Sequence, residues 1–451
     1  MSERIYLCLA HMSGEGLEQK FIKEAFDTNW VVPLGPNVNQ FEWDLQHYVF
    51  GTGAWNEPGA KDEVRVVALS AGTAAVHLAL VACGVGPGDE VCVQSFTFCA
   101  SSNPIKYLGA RPVFIDSEPD SWNMDPEILE AAIRDRLART GRKPKAIIPV
   151  ALYGMPYRID RIMEIAAKYD IPVIEDAAEG FGSRFGGKVL GTFGKFGVLS
   201  FNGNKMITTS GGGALICPDN GWWRTVMNYA TQFREGYAYY QHEKIGYNYR
   251  MSNICAGIGR GQMTVADAHI AHHRHIADLY EKLFADVPGI TFHRGPDWAA
   301  EGSNYWLNTI TIDPSIHIAG QEEAYCSKVR GAVGGAAGVV HEAGSPVTDC
   351  QPEANVEALR VCLDAAGIEA RPVWKPMHRQ PVYCRGYEPA GSVNGISCLE
   401  GPESAAYLRP FNGEASVSEA VFKVGMCLPS GPCVSDEDIR YIVDTIKGAI
   451  K

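Results

Sequence analysis

Between residues 64 and 218 the chain alternates short runs of β-branched and aliphatic residues with longer stretches whose apolar positions recur every three or four residues. VRVVALS predicts a strand, and TAAVHLALVACG a helix closing on Gly84. DEVCVQS, ARPVFID, KAIIPVALY, IPVIEDAA, VLSFN and GALICP predict further strands. SSNPIKYLG, PEILEAAIRDRLART and RIDRIMEIAAKYD predict helices between them. Strands separated by helices at this pitch pair in parallel, because parallel neighbours need long crossover connections. Ligands on such sheets bind beyond the carboxyl ends of the strands, so the informative residues are those that follow strands directly.

Ahead of this region, residues 18–27 have helical spacing, with Leu17, Phe21, Ile22, Ala25 and Phe26 on one side. Residues 251–282 read as one long, His-rich helical stretch. After about Phe292 the pattern turns mixed, through TFHRG and NYWLNTITID, and a helix is expected near 356–366. The division expected is a large α/β domain over 1–285 with a mostly parallel central sheet, then a smaller α+β domain over 286–451. Residues 331–351 and 385–413 are rich in Gly, Pro, Ser and Ala without strong periodicity, and read as two surface insertions.

Composition narrows the class. The 451 residues are 46% hydrophobic and 20% charged, ordinary for a soluble enzyme. A net charge of -12 argues against a nucleic-acid partner, whose phosphates want a basic face. Thirteen cysteines include no C-x-x-C pair, and Cys92, Cys99 and Cys217 sit in apolar runs, which fits free thiols in a reducing compartment. The apolar stretch at residues 5–10 is too short for a secretory signal, and no stretch is long enough to span a bilayer. A cytoplasmic protein without membrane partners is expected.

Four segments after strands carry chemistry. In Ser200-Phe-Asn-Gly-Asn-Lys205 a lysine follows a strand and precedes a Gly-rich bend, where partial desolvation can ready an amine to condense with an aldehyde. The Ser200 hydroxyl is placed to bind a phosphate. In Val173-Ile-Glu-Asp176 a carboxylate ends a buried strand and needs a cation, such as a pyridinium nitrogen. The turn Ser70-Ala-Gly72-Thr73 opens a helix whose N–H groups and Thr73 hydroxyl form an anion site. Phe98, after another strand, can stack on a planar ring. Each segment has a plain structural alternative: a surface-turn lysine, an acidic helix cap or metal ligand, a threonine N-cap, a core aromatic. Together and in this order they form one constellation. Neither a G-x-x-x-x-G-K-[ST] loop nor a strand–G-x-G-x-x-G–helix is present. His272, His273 and His275 read as a solvated helix face, since no Cys or acid completes a ligand set, so no metal is expected.

The motifs NWVVPLGPNVNQFE, SAGTAAVHLAL, SFTFCASSNPIKYLGARPVFID, VIEDAAEGFGS, GTFGKFGVLSFNGNKMITTSGGG, GYNYRMSNICAGIG and WKPMHRQPVY resemble the DegT/StrS family of fold-type I, pyridoxal 5'-phosphate (PLP)-dependent sugar aminotransferases. NGNKMITTSGGG and WKPMH are similar to the branch that aminates UDP-linked 4-keto-6-deoxy-N-acetylhexosamines. The resemblance implies Lys205 and Asp176 as catalytic residues, Lys205 holding PLP and Asp176 facing its ring nitrogen. It implies Gly72, Thr73 and Ser200 at the phosphate, Phe98 on the ring and Glu179 facing the ring hydroxyl. Asn248 corresponds to a residue reaching the cofactor phosphate of a neighbouring subunit, which implies a homodimer. Asn29, Trp30, Trp374, Lys375 and His378 fall where this branch contacts a nucleotide-linked keto-sugar, and L-glutamate is the implied donor. The alternatives are a GDP- or dTDP-linked sugar or a cyclitol ketone as acceptor, or a PLP-binding regulatory protein without catalysis.

Overall fold

The computed structural model describes residues 4–51, 65–324 and 350–451. The chain opens with α1 (Leu17–Asp27) and α2 (Pro36–Phe50). The alternating region follows: β1 (Val66–Leu69), α3 (Gly72–Ala82), β2 (Glu90–Gln94), α4 (Asn103–Tyr107), β3 (Arg111–Ile115), α5 (Pro126–Thr140), β4 (Ala146–Ile148), α6 (Ile159–Tyr169) and β5 (Ile174–Asp176). A short hairpin, β6 (Arg184–Phe185) and β7 (Lys188–Val189), precedes β8 (Phe196–Ser200), β9 (Gly213–Ile216) and α7 (Asn220–Ala230). Then come α8 (Asn253–Met263), α9 (Ala266–Phe284), β10 (Ile290–Phe292), α10 (Asp297–Ala300), β11 (Asn308–Ile312), α11 (Ala354–Ala365), β12 (Arg371–Pro372) and α12 (Pro381–Cys384). The last elements are β13 (Glu388–Val393), β14 (Ile396–Glu400), β15 (Ala405–Leu408), α13 (Val417–Val424), β16 (Gly425–Leu428) and α14 (Asp436–Ala449).

Local chemistry sets several boundaries. Asp125 caps α5 by accepting from the N–H groups of Glu127 and Ile128, Pro126 opens its first turn, and Gly141 closes it in a left-handed conformation. Ser435 and Asp438 form a reciprocal capping box at α14. The single helix expected over 251–282 is two, α8 and α9, with Thr264 and Val265 between them. A side chain at Gly259 would come within 2.6 Å of the Phe41 ring, so its absence lets α8 pack closely on α2. On α1, Glu18 and Ala25 are buried, whereas Phe26 stays exposed. The buried Glu18 accepts from Ser13 and Gln262, and this polar anchoring sets the rotation of α1.

The central sheet is mostly parallel, as expected, but β9 runs antiparallel to both of its neighbours, β1 and β8. β2 pairs in parallel with β3 and β4, and β5 with β8. Parallel bridges Ile147↔Val173 and Val150↔Asp176 join β4 to β5, giving the order β1-β9-β8-β5-β4-β2-β3. The residues of β1, β4, β5, β8 and β9 are all buried, as in a sheet covered on both faces. The second sheet, β10-β11-β16-β12, is antiparallel and packs against α9, α11 and α14.

Two expectations need correction. Residues 385–413 are not a detached insertion. β15 pairs in parallel with β3, and β14 and β13 add antiparallel, so this stretch widens the central sheet. Buried Arg136 fastens it, reaching Glu90 at 2.6 Å and Glu400 at 2.7 Å. The sequence signal is weak because β13 is an edge strand, largely exposed, with Pro389 and a register shift before Gly391. The other stretch, 331–351, lies outside the described residues up to 349. Nor is the histidine run a solvated face. His275 is exposed and pairs with Asp436 at 2.7 Å, but His273 is fully buried against the Tyr305 carbonyl, and burial pushes its imidazole down to about 3. Helix α9 is covered on more than one side, by α14 and β10 among others. Among the described residues no group of three or more His, Cys, Asp or Glu is placed to hold a metal, and no helix is long and apolar enough to cross a membrane.

Candidate active site

A cavity of about 400 Å³ opens at the carboxyl ends of β5 and β8. Gly72, Thr73, Phe98, Asp176, Glu179, Ser200, Lys205 and Trp374 line it, brought together from widely separated segments.

At one end lies the start of α3. Its N-cap is Ala71, which has no side chain to satisfy the first N–H groups. The Thr73 and Ser200 hydroxyls flank them. A Cβ at Gly72 would stand 2.9 Å from the Ser200 Cβ, and one at Gly213 would fall 2.4 Å from the Gly72 nitrogen. Glycine at both places keeps the anion cradle open and brings β9 against α3.

At the floor, Asp176 ends β5 and is buried. Ser101 Oγ donates to Oδ2 at 2.7 Å and the Ala178 N–H to Oδ1 at 3.1 Å. Thr97 and Ser101 share a hydroxyl contact of 2.8 Å, which orients the donor. Burial nevertheless dominates and pushes the Asp176 carboxyl up, against Ser101, Ala178 and the charge of Lys205. A carboxylate in this condition is short of a cation.

Lys205 sits in the turn after β8, its N–H donating to the Asn202 carbonyl at 3.0 Å. The side chain is 14% exposed, and Nζ lies 3.6 Å from Glu179 Oε1. Glu179 is buried, and its Oε2 accepts from the Tyr153 N–H at 2.7 Å. Tyr153 holds a left-handed backbone (φ 54°), rare for a bulky residue, and its hydroxyl accepts from the Trp374 N–H at 2.8 Å. Burial pushes the Glu179 carboxyl up, with Lys205 and the Tyr153 N–H pulling it back in part.

The donor set fits PLP. The uncapped helix start suits its phosphate, the cation-starved Asp176 its ring nitrogen, the half-buried amine its aldehyde, and Phe98 at the mouth its ring face.

The acceptor residues named from the sequence divide. Trp374 lines the cavity, its ring 6.2 Å from that of Phe98. Lys375 is partly buried, with Nζ on the Cys350 carbonyl at 2.8 Å. Asn29 and Trp30 are exposed and outside the cavity lining, the Trp30 carbonyl accepting from Asn253. Asn248 is exposed on the strand-like stretch beside Ser70 and also outside the lining.

His378 is a correction. It is fully buried and away from the cavity, with Nδ1 on the Ser95 hydroxyl at 2.6 Å and Nε2 on Glu419 at 3.0 Å. A neutral ring satisfies both contacts, Ser95 donating to Nδ1 and Nε2–H donating to Glu419. The imidazole thus ties the end of β2 to α13 in place of meeting a sugar. Burial raises the Glu419 carboxyl, but the His378 bond and nearby Arg379 and Lys423 outweigh it and hold the group low. That stabilisation is present above the usual glutamate range and is lost as pH falls through the lowered value. His378→Leu is expected to cost about 2–3 kcal/mol, because it leaves a buried carboxylate short of a partner. Chemical denaturation measures the loss. The KM for the sugar is expected to stay within about twofold, the range of surface-neutral changes, and a tenfold rise would restore His378 to the substrate site.

Sequence reasoning passed over Ser101, Tyr153 and Trp306. Ser101 lies within a quoted motif, but nothing local shows its hydroxyl turning to Asp176. Tyr153 and Trp306 reach the site through long-range packing.

A model of the DegT/DnrJ/EryC1/StrS aminotransferase family matches residues 13–327. The chain is 40% identical over 446 residues to EpsN of Bacillus subtilis (strain 168), covering 99% of this chain and 96% of that protein. It is 31% identical over 442 residues to a GDP-perosamine synthase of Escherichia coli O157:H7, covering 98% of each. Its fold is similar to the crystal structure of a DegT DnrJ EryC1 StrS aminotransferase from Brucella abortus, with a TM-score of 0.74, 27% identity, and coverage of 96% and 95%.

Proposed function

This chain belongs to the DegT/DnrJ/EryC1/StrS aminotransferase family and is a PLP-dependent sugar aminotransferase, and from that premise we propose that it moves the amino group of L-glutamate to the C4 ketone of a UDP-linked 4-keto-6-deoxy-N-acetylhexosamine. The observation carrying this reading is the convergence of Lys205, Asp176 and the uncapped start of α3 on one cavity. When bound, PLP supplies an aldehyde that accepts and returns an amino group, and a ring that draws electrons from the reacting carbon. Gly72, Thr73 and Ser200 would hold its phosphate, Asp176 its ring nitrogen, Glu179 its ring hydroxyl and Lys205 its aldehyde carbon. Once free, Lys205 Nζ takes the proton from the α-carbon of glutamate. In the return half it places a proton on the acceptor carbon that carried the ketone oxygen.

The UDP-linked acceptor is supported by the NGNKMITTSGGG and WKPMH segments. A GDP-linked acceptor is the rival, favoured by the similarity to GDP-perosamine synthase. Incubation with glutamate, PLP and a panel of nucleotide-linked 4-keto sugars, with mass detection, tests the choice. The expected outcome is an aminated UDP-sugar; amination of the GDP- or dTDP-linked sugar alone would refute the acceptor assigned.

The reading includes a homodimer with shared sites. Asn248 is exposed beside an exposed run of Tyr237, Tyr239, Tyr240 and Ile245, and a second exposed apolar stretch holds Trp30, Val31, Val32 and Leu34. Exposed apolar residues clustered in this way support an interface there. Light scattering is expected to report twice the chain mass, and a monomer would remove this part. The free cysteines among the described residues support a cytoplasmic setting.

A further inference from the structure

Lys205 has a second neighbour in the cavity. Its Nζ stands 3.9 Å from the centroid of the Trp306 ring, while Glu179 Oε1 lies 3.6 Å away. Trp306 is 1% exposed. Its indole N–H donates to the Asn204 carbonyl at 2.7 Å, one residue before Lys205. Its backbone N–H donates to Asn304 Oδ1 at 2.8 Å, and Asn304 Nδ2 donates to the carbonyls of Glu179 and Phe181, each at 2.9 Å. The segment 304–306, ahead of β11, therefore ties the loop bearing Lys205 to the loop bearing Glu179.

A cation over an indole face is attracted by the ring quadrupole, more strongly where water is excluded. The Cys8 thiol nearby, pushed up to about 12 by burial, stays neutral and brings no competing charge. Asp176, the other acid that senses Lys205, is engaged by Ser101 and Ala178. A lysine has a flexible four-carbon stem, so its free amine wanders unless something holds it. Proton transfer gains rate from a held position.

We propose that the face of Trp306 and the carboxylate of Glu179 form a resting site for the free side-chain nitrogen of Lys205, making Trp306 a positioning residue for proton transfer. This rests on the function proposed above, in which Lys205 is released and then moves protons.

The test uses the full chain without cofactor and reads the rate at which trinitrobenzenesulfonate labels Lys205, followed by peptide mass. Trp306→Leu is expected to speed labelling on the order of tenfold, the fold-change of a desolvated cation–π contact. Trp306→Phe keeps a ring face and is expected to stay within about threefold of wild type on the same scale. Glu179→Gln removes the charge of the other wall without changing volume, should also speed labelling, and carries the test if Trp306→Leu does not fold. Wild-type labelling rates in Trp306→Leu and in Glu179→Gln would overturn the proposal, as would Trp306→Phe labelling as fast as Trp306→Leu. With PLP added, Trp306→Leu should slow the single-turnover reaction with glutamate while leaving the KM for glutamate unchanged. If the wild-type chain fails to capture PLP at Lys205, the proposed function falls. If it does capture PLP and the variants label as wild type, only the resting site falls.

Discussion

Lys205→Ala is expected to abolish amino transfer and the visible absorbance of the lysine-bound cofactor, with turnover falling by about 10⁴-fold or more. Both roles proposed for Lys205 are lost at once, the covalent hold and the proton carrier. No second lysine among the described residues lines the cavity, so no neighbour can take over either role. The fold should survive, since the side chain is not part of the buried core and the turn is held by backbone bonds from Lys205 to Asn202 and from Thr209 to Phe201. Removing the ammonium also removes a positive charge that pulls Glu179 and Asp176 down, so both acids should titrate at higher pH in the variant. Spectra and steady-state rates on matched preparations check the first outcome. Full activity with glutamate and keto-sugar would end the assignment of Lys205.

Asp176→Asn should lower turnover on the order of 10²–10³-fold, the loss typical when one preorganised electrostatic partner is removed. Asparagine is nearly isosteric, and its amide oxygen can still accept from the Ala178 N–H. What disappears is the negative charge that would keep a ring nitrogen protonated. The effect on stability has the opposite sign. Burial raises the Asp176 carboxyl, so without cofactor the folded chain binds this proton more tightly than the unfolded chain. Ionising the group as pH rises through that window therefore costs stability, and the cost persists at neutral pH. Asparagine removes it. The cofactor-free variant is expected to melt no lower than wild type at pH 7, and its advantage should shrink toward acidic pH. This is the pattern of an active-site residue placed for function at the expense of stability. Unchanged turnover would take Asp176 out of the mechanism. A cofactor-free variant markedly less stable than wild type at pH 7 would show that the carboxylate is already satisfied by its neighbours.

Asp176 and Lys205 lie directly after strands, and a strand end is a local property. Apolar runs, a helix start and a Gly-rich bend are all written within a few residues of sequence. The same holds for Gly72 and Thr73, whose anion site needs only a helix beginning without a capping side chain. The position of His378 is not legible in the same way, because its neighbourhood is not local. WKPMH places it next to Trp374 and Lys375 along the chain, but the tight helical turn Met377–Arg379 sends the ring inward to Ser95 and Glu419. The burial of His273 has the same origin, because helical spacing reports a face and does not report how many neighbours will cover it.

By itself, then, the sequence determined the alternating elements, the parallel pairing and the four segments that meet at the cavity, because periodicity, turn chemistry and charge act over a few residues. Only the tertiary structure decided that 388–408 would widen the central sheet, that His378 would brace the interior, and that Trp306 would face Lys205. Each of those outcomes rests on contacts between segments far apart in the chain, where the deciding quantity is which surfaces fit when the whole core closes.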